Sequence, residues 1–375
     1  MLTPSREDLR ALILLSRTPG IRMTGLREDF EAGRSPAEIL ERIQVEGKDS
    51  WKEALEATRR VFDPEKEISK AEELGIELLP YGNPHYPFLL KESSDPPFIL
   101  YVRGEILESD QAAVALVGSR HPSLYGQDQA KRFASKLAQW GLTIVSGFAR
   151  GIDRASHEGA LTVSYGRTIA VLGSGLDVIY PKEHEGLYEE ISERGALVSE
   201  FALGTAPLAE NFPKRNRIIA GLSLGALVVE AHSRSGSLIT ARLAADEGRE
   251  VFALPGRVDQ LQSRGTHRLI KEGAALVESA DEVLQALAPQ LWPLAQNVFE
   301  ARPNGPQPSP TFDEAEDRYL SFFGRGPLSF DELARMSQGP VSLTAAFVTR
   351  LELRGAIRKR FDGRYELPMK SGGGA

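Results

Sequence analysis

The stretch AVALVGSRHPSLYG, residues 113–126, decides the fold. Its first five residues, Ala113–Val117, are apolar without alternation, as in a strand of a sheet covered on both faces. Gly118-Ser119-Arg120 turns out of that strand, and a helix begins near Gly126. The same order of short apolar run, Gly/Ser turn and helix-like spacing recurs downstream. Strands are expected at 143–145, 168–171, 196–199, 226–229, 250–253 and 275–277, with helices at 128–139, 155–162, 184–192, 214–221 and 238–247. Such alternation predicts an α/β fold, an extended Rossmann-like, doubly wound and mostly parallel sheet, over residues 68–288.

The flanks read differently. Residues 1–67 carry short helical apolar faces such as Leu9, Leu12, Ile13 and Leu15, broken at Thr18-Pro19-Gly20 and restarted at Ser35-Pro36. They predict a small helical domain of the SAM or helix–hairpin–helix kind. Residues 289–312 are proline-rich and read as a linker. Residues 313–370 read as three helices and a hairpin turning at Asp362-Gly363, a winged-helix-like order.

The 375-residue chain holds 45 basic and 52 acidic residues, a net charge of −7. Nucleic-acid binders are often basic, but binding depends on local patches rather than the sum. With no cysteine, disulfides, thiolate metal sites and cysteine nucleophiles are excluded. No apolar run reaches the roughly 18 residues of a membrane span, and the start lacks a signal-peptide pattern. A cytoplasmic protein with no membrane partner is expected. No His/Asp/Glu cluster has metal-ligand spacing, and no cofactor is expected.

Chemistry gathers in the turns after the strands, where open α/β sheets bind ligands. Gly118, Ser119 and Arg120 offer a backbone turn and a guanidinium suited to phosphate. Ser146–Asp153 forms the next such turn, where Asp153 reads as a helix cap and His157 as a packing histidine. Gly173-Ser174-Gly175 is followed by Lys182. Phe212, Lys214, Arg215, Asn216 and Arg217 lie within Asn211–Ile219. Cations beside an aromatic ring suit a single strand, and equally suit a basic amphipathic helix with the ring buried. Ser235, Gly236 and Ser237 form one more anion nest or a helix cap.

Taken in order, VGSRHPSLYG, SGFARGIDRASHEGAL, AVLGSGLDVIYPKEH, NFPKRNRIIAGLS, EAHSRSGSLITARLAADEGREVFALPG and RGTHRLIKEGA resemble the DNA processing protein A family (DprA, also called Smf). The upstream YPFLLKESSDPPFILYVRG fits as well. The resemblance implies a single-stranded-DNA-binding protein, not an enzyme. It would protect incoming DNA and load the RecA recombinase onto it in natural transformation, acting as a homodimer. It also implies a DNA groove built from Gly118, Ser119, Arg120, Lys182, Phe212 and Lys214–Arg217, and a dimer contact around His267, Leu269 and Ile270.

Two rival readings compete. A dehydrogenase would carry G-x-G-x-x-G after its first strand, and this chain does not. A Rossmann-like nucleotide-binding enzyme of the phosphoribohydrolase kind would need a carboxylate after its glycine loop. The corresponding Ser233–Thr240 has none in the first turn, which leaves glycosidic hydrolysis without an acid or base. The C-terminal unit is near-neutral, with ten basic and nine acidic residues over 313–370. Its basic run Arg350, Arg354, Arg358, Lys359, Arg360 and Arg364 suits duplex DNA and a protein contact equally.

Overall fold

The computed structural model describes residues 5–300, 314–338, 341–354, 356–360 and 362–367. Five helices open the chain: α1 (Arg6–Arg17), α2 (Arg27–Glu31), α3 (Pro36–Glu46), α4 (Asp49–Val61) and α5 (Pro64–Glu73). Ser5 and Ser35 cap α1 and α3 through reciprocal bonds with Asp8 and Glu38, satisfying amides that a helix start leaves open. In α1 five consecutive residues, Ala11–Leu15, are buried. Leu12 and Leu15 pack with Ile39, Ile43 and Leu55, whereas Ile13 packs with Ile68, Ile99 and Tyr101 of the next unit. The helical unit therefore shares its core with the sheet.

The sheet follows in chain order as β1 (Glu77–Pro80), α6 (Phe88–Lys91), β2 (Ile99–Gly104), β3 (Ala113–Val117), α7 (Leu124–Gln139) and β4 (Thr143–Ser146). Next come α8 (Ile152–Leu161), β5 (Thr168–Val171), α9 (Glu185–Arg194), β6 (Ala196–Ser199) and α10 (Asn211–Gly221). Then follow β7 (Gly225–Val228), α11 (Ser237–Asp246), β8 (Glu250–Ala253), α12 (Arg264–Lys271), β9 (Ala275–Leu276) and α13 (Ala280–Glu300). The nine strands lie in the order β1-β2-β6-β5-β4-β3-β7-β8-β9. Strands β3 to β9 run parallel; β2 joins β6 antiparallel, and β1 joins β2 antiparallel at the edge. Val114 and Leu116 face one core with α7 and α13, and Ala113, Ala115 and Val117 face the other with α10. This is the doubly wound, Rossmann-like sheet.

The winding fixes where a ligand crevice forms. From β3 the chain moves outward through β4, β5 and β6, then returns to place β7 on the opposite side of β3. The carboxyl end of β3 is thus a topological switch point, where loops on either side diverge.

One correction concerns the linker. Helix α13 runs through Pro289 and Pro293 to Glu300, although proline costs a helix interior about 3 kcal/mol. Val283, Leu284, Leu287 and Leu291 are buried at helical spacing across Pro289, and that packing holds the helix. The linker stretch from residue 301 to 312 lies outside the described residues.

The C-terminal unit comprises α14 (Glu314–Phe322), α15 (Phe330–Ser337), α16 (Val341–Leu353) and the pair β10 (Arg358–Lys359) and β11 (Tyr365–Glu366). Leu328 makes an isolated antiparallel bridge to Tyr365. Tyr319, Phe323, Leu333, Val348, Leu351, Ile357 and Tyr365 form its core, so it is a winged helix. It rests on the sheet's helical layer: the Arg350 guanidinium lies 5.1 Å from the Trp140 ring and 3.8 Å from Asp281. Among the described residues no helix is long and apolar enough to cross a membrane.

Candidate nucleic-acid interface

Loops at the carboxyl ends of β3, β4 and β5 meet the first turn of α10 in one pocket. Arg120, Gly147, Phe148, Arg150, Gly173 and Phe212 are among its lining residues. Arg120 is exposed, and its guanidinium sits 4.7 Å from the centre of the half-buried Phe212 ring, a cation–π distance. Tyr180 approaches the same ring at 6.0 Å. A Cβ on Gly173 would lie 2.9 Å from the Phe212 ring, so the ring's seat exists because residue 173 has no side chain. The pocket thus combines a cation, an aromatic ring and glycine-bearing backbone.

The neighbouring helix start is already filled. The Glu230 carboxylate, buried, accepts from the Ser123 amide at 2.8 Å and its hydroxyl at 2.5 Å, and Ser123 in turn caps α7. The Ser119 amide donates to the Glu230 carbonyl at 2.7 Å. Ser119 is buried and Gly118 is packed against Ile152. Of this turn, Arg120 is the part that reaches solvent.

Helix α10 corrects the expectation of a basic stripe along the groove. Arg215 is only 3% exposed. It donates to the carbonyls of Gly147 and Val171 beneath the pocket floor. Burial pushes its guanidinium down to about 10, opposed by the nearby Asp153 charge, so it stays charged at neutral pH. Asp153 is buried beside it and accepts from the Ala149 amide at 3.3 Å; burial raises its carboxyl, and Arg215 opposes the rise. Arg217 is held by Glu200 and Asp95, and Asn216 bonds the Gly236 carbonyl at 3.3 Å. A helix packed on a sheet buries one face, and Arg215 and Asn216 fall on it. Lys214 is exposed, with Glu210 at 3.4 Å. Lys182 is exposed beside Pro181 on the pocket rim.

Ser235, Gly236 and Ser237 lie at the start of α11, outside the residues lining this pocket. Their two hydroxyls bond each other at 2.7 Å. On α12, His267 Nε2 meets the Gly256 carbonyl at 2.9 Å. Leu269 packs onto the core and Ile270 is half-buried. Val258, Leu261 and Leu276 near this edge of the sheet are exposed.

Asp153, read as a helix cap, instead accepts from Ala149, and the α8 N-cap Gly151 has no side-chain bond; His157 and His184 pack beneath the same loop. Phe148 adopts a left-handed backbone (φ 58°), a strained choice for a bulky residue. Its ring is buried against His184 at 5.2 Å and His157 at 6.3 Å. Thr168 already donates to the Ile144 carbonyl, so His157 Nδ1 is the donor in its 2.7 Å contact with Thr168. The packing role read for His157 is what the structure places. Burial, with His184 and Arg215 nearby, pushes its imidazole down to about 3. The sign is set by linkage: below pH 6.5 the unfolded chain takes a proton that the folded chain refuses. His157 should therefore make stability fall by about 1.4 kcal/mol per pH unit between pH 6 and 4. Urea unfolding across that range should show a shallower pH slope in His157→Leu.

Fold and pocket together define a Rossmann-like α/β protein with a cationic, aromatic strand-end pocket and an appended winged helix. Comparison narrows the class. The family model for DNA recombination-mediator protein A matches residues 77–288, and that for the DprA winged helix domain matches 303–363. The chain belongs to the DNA processing protein A family. It is 42% identical over 313 residues to the protein Smf of Escherichia coli, covering 80% of this chain and 81% of that one. The X-ray structure of DNA processing protein A from Streptococcus pneumoniae superposes with a TM-score of 0.65 at 35% identity, over 75% of this chain and 98% of the other. A structure of the Helicobacter pylori protein, which addresses its single-stranded DNA binding mode, gives a TM-score of 0.50 at 32% identity, over 55% and 94% of the two chains.

Proposed function

We propose that this chain binds single-stranded DNA in the pocket between Arg120 and Phe212, protects it and passes it to the RecA recombinase during natural transformation. In this reading it acts in the cytoplasm as a homodimer and without chemistry of its own. The observation that carries the reading is the pocket itself: an exposed guanidinium stacked on a half-buried ring, where the glycine-bearing loops after β3, β4 and β5 meet. A single strand offers phosphates to the cation and an unpaired base to the ring. Lys182 and Lys214 extend the positive rim. The single-stranded DNA binding addressed for the Helicobacter relative supports the same ligand. The recombination-mediator description of the matched family supports transfer to a recombinase. Exposed Val258, Leu261 and Leu276, with Ile270, support a second copy at the α12 edge, since apolar clusters on a sheet edge call for cover.

Fluorescence anisotropy of labelled oligo-dT against a duplex of equal length, across a salt series, tests this. Arg120→Ala should weaken single-strand binding by about 10- to 100-fold, matching roughly 1.5–3 kcal/mol for a charged hydrogen bond. The log–log salt slope should shrink by about 0.7, because the variant neutralises one phosphate fewer. Equal affinity in the variant would move the site elsewhere.

A further inference from the structure

A second depression adjoins the pocket. It shares Arg120 and Arg150 as a common wall and continues past Gln127, Lys131 and Arg154. Its cations come from two helices packed on each other. Arg154 and Glu158 stand one turn apart on α8, and Lys131 projects from α7. Gly159 permits the close approach, because a Cβ there would fall 2.4 Å from the Lys131 carbonyl oxygen. Glu158 takes both cations, at 2.7 Å from Lys131 and 2.6 Å from Arg154. Glu183 holds Arg150 at 2.5 Å.

The cations in these pairs are each about half exposed, 49% for Lys131, Arg150 and Arg154 alike. Pairs so open to water contribute little to stability. Their geometry is therefore cheap to rearrange. Arg120, Lys131, Arg150 and Arg154 outnumber the two carboxylates lining the cleft, so a net positive charge remains with every pair formed. A polyanion arriving there also gains from counterion release.

Resting on the single-strand reading above, we propose that this cleft takes the phosphates of the strand as it leaves the Arg120 pocket, and that Glu158 and Glu183 are the anions those phosphates displace. The carboxylates hold Lys131, Arg150 and Arg154 in place before DNA arrives and compete with it afterwards. They weaken binding while keeping the cations ordered.

Two oligo-dT lengths separate the cleft from the pocket, one of about five nucleotides and one of about sixteen, the span of known single-strand site sizes. Anisotropy should show Lys131→Ala/Arg154→Ala binding the longer strand about tenfold more weakly, with the salt slope reduced by about 1.4 because two phosphates fewer are neutralised. The shorter strand should bind as in the wild type. Glu158→Gln should bind the longer strand about two- to fivefold more tightly, the reverse of what a structural carboxylate would give. Thermal unfolding checks that each variant folds. If the wild type binds both strands and the variants match it at both lengths, the cleft is not part of the path. If the wild type binds neither strand, the single-strand reading itself fails and takes this inference with it.

Discussion

Arg215→Met should destabilise the protein by about 3–5 kcal/mol, because a buried guanidinium that donates to two buried carbonyls and lies near a buried carboxylate is removed. The substitution leaves the Asp153 carboxylate buried without its compensating cation. It also strips the Gly147 and Val171 carbonyls of a charged donor. Urea unfolding is the measurement, and a loss below about 1 kcal/mol would contradict a buried charged donor of this kind. Adding Asp153→Asn should recover most of the loss, because a neutral amide can still accept from Ala149 and no longer demands a counter-charge. The same double variant decides how Arg215 serves the pocket. If the guanidinium only braces the floor, oligo-dT affinity returns with stability. If it touches the strand, stability returns and affinity does not. The placement of Arg215 beneath the Gly147 loop leads us to expect the first result.

That arginine also marks the limit of what the sequence discloses. Lys214, Arg215 and Arg217 are chemically alike on paper, each a cation beside Phe212. At about 100° per residue Arg215 stands about 100° from Lys214 and about 160° from Arg217, so the three do not share one face and a helix lying on a sheet can bury one while exposing the others. Which one depends on the distance from α10 to the loops after β4 and β5, and no local pattern carries that distance. The same holds for Glu230, whose carboxylate reaches back to Ser123 across more than a hundred residues of chain. By contrast, the central strands β3 to β7 were legible because each is a run too apolar for any environment but one covered on both faces. The sheet's strand order, and with it the switch point at β3, was not legible, because alternation says that the strands run parallel but not which of them are neighbours. Helix α13 misled because prolines speak against a helix locally, while the buried Val283–Leu291 face, which opposes them, is a property of the packed whole.

Gly173→Ala should lower single-strand affinity by about tenfold without altering the salt dependence. The argument is geometric. The added methyl would stand 2.9 Å from one edge carbon of Phe212 and 3.2 Å from the next, too close for carbon atoms at rest. The ring must tilt or slide toward Arg120, which lies 4.7 Å from its centre. Stacking of a base on an aromatic side chain is worth about 1–3 kcal/mol, and the ring can offer the face that Arg120 covers only if it keeps its seat against Gly173 while the guanidinium turns to a phosphate. No charge changes, so the number of phosphates neutralised stays the same and the slope against log salt should remain parallel to that of the wild type. Arg120→Ala should do the opposite in this respect, reducing the slope along with the affinity. The two variants together therefore divide the pocket into an aromatic part and an electrostatic part. Parallel lines displaced in affinity for Gly173→Ala would identify Phe212 as a stacking platform. Unchanged affinity would mean that the ring packs the pocket wall and that no base rests on it.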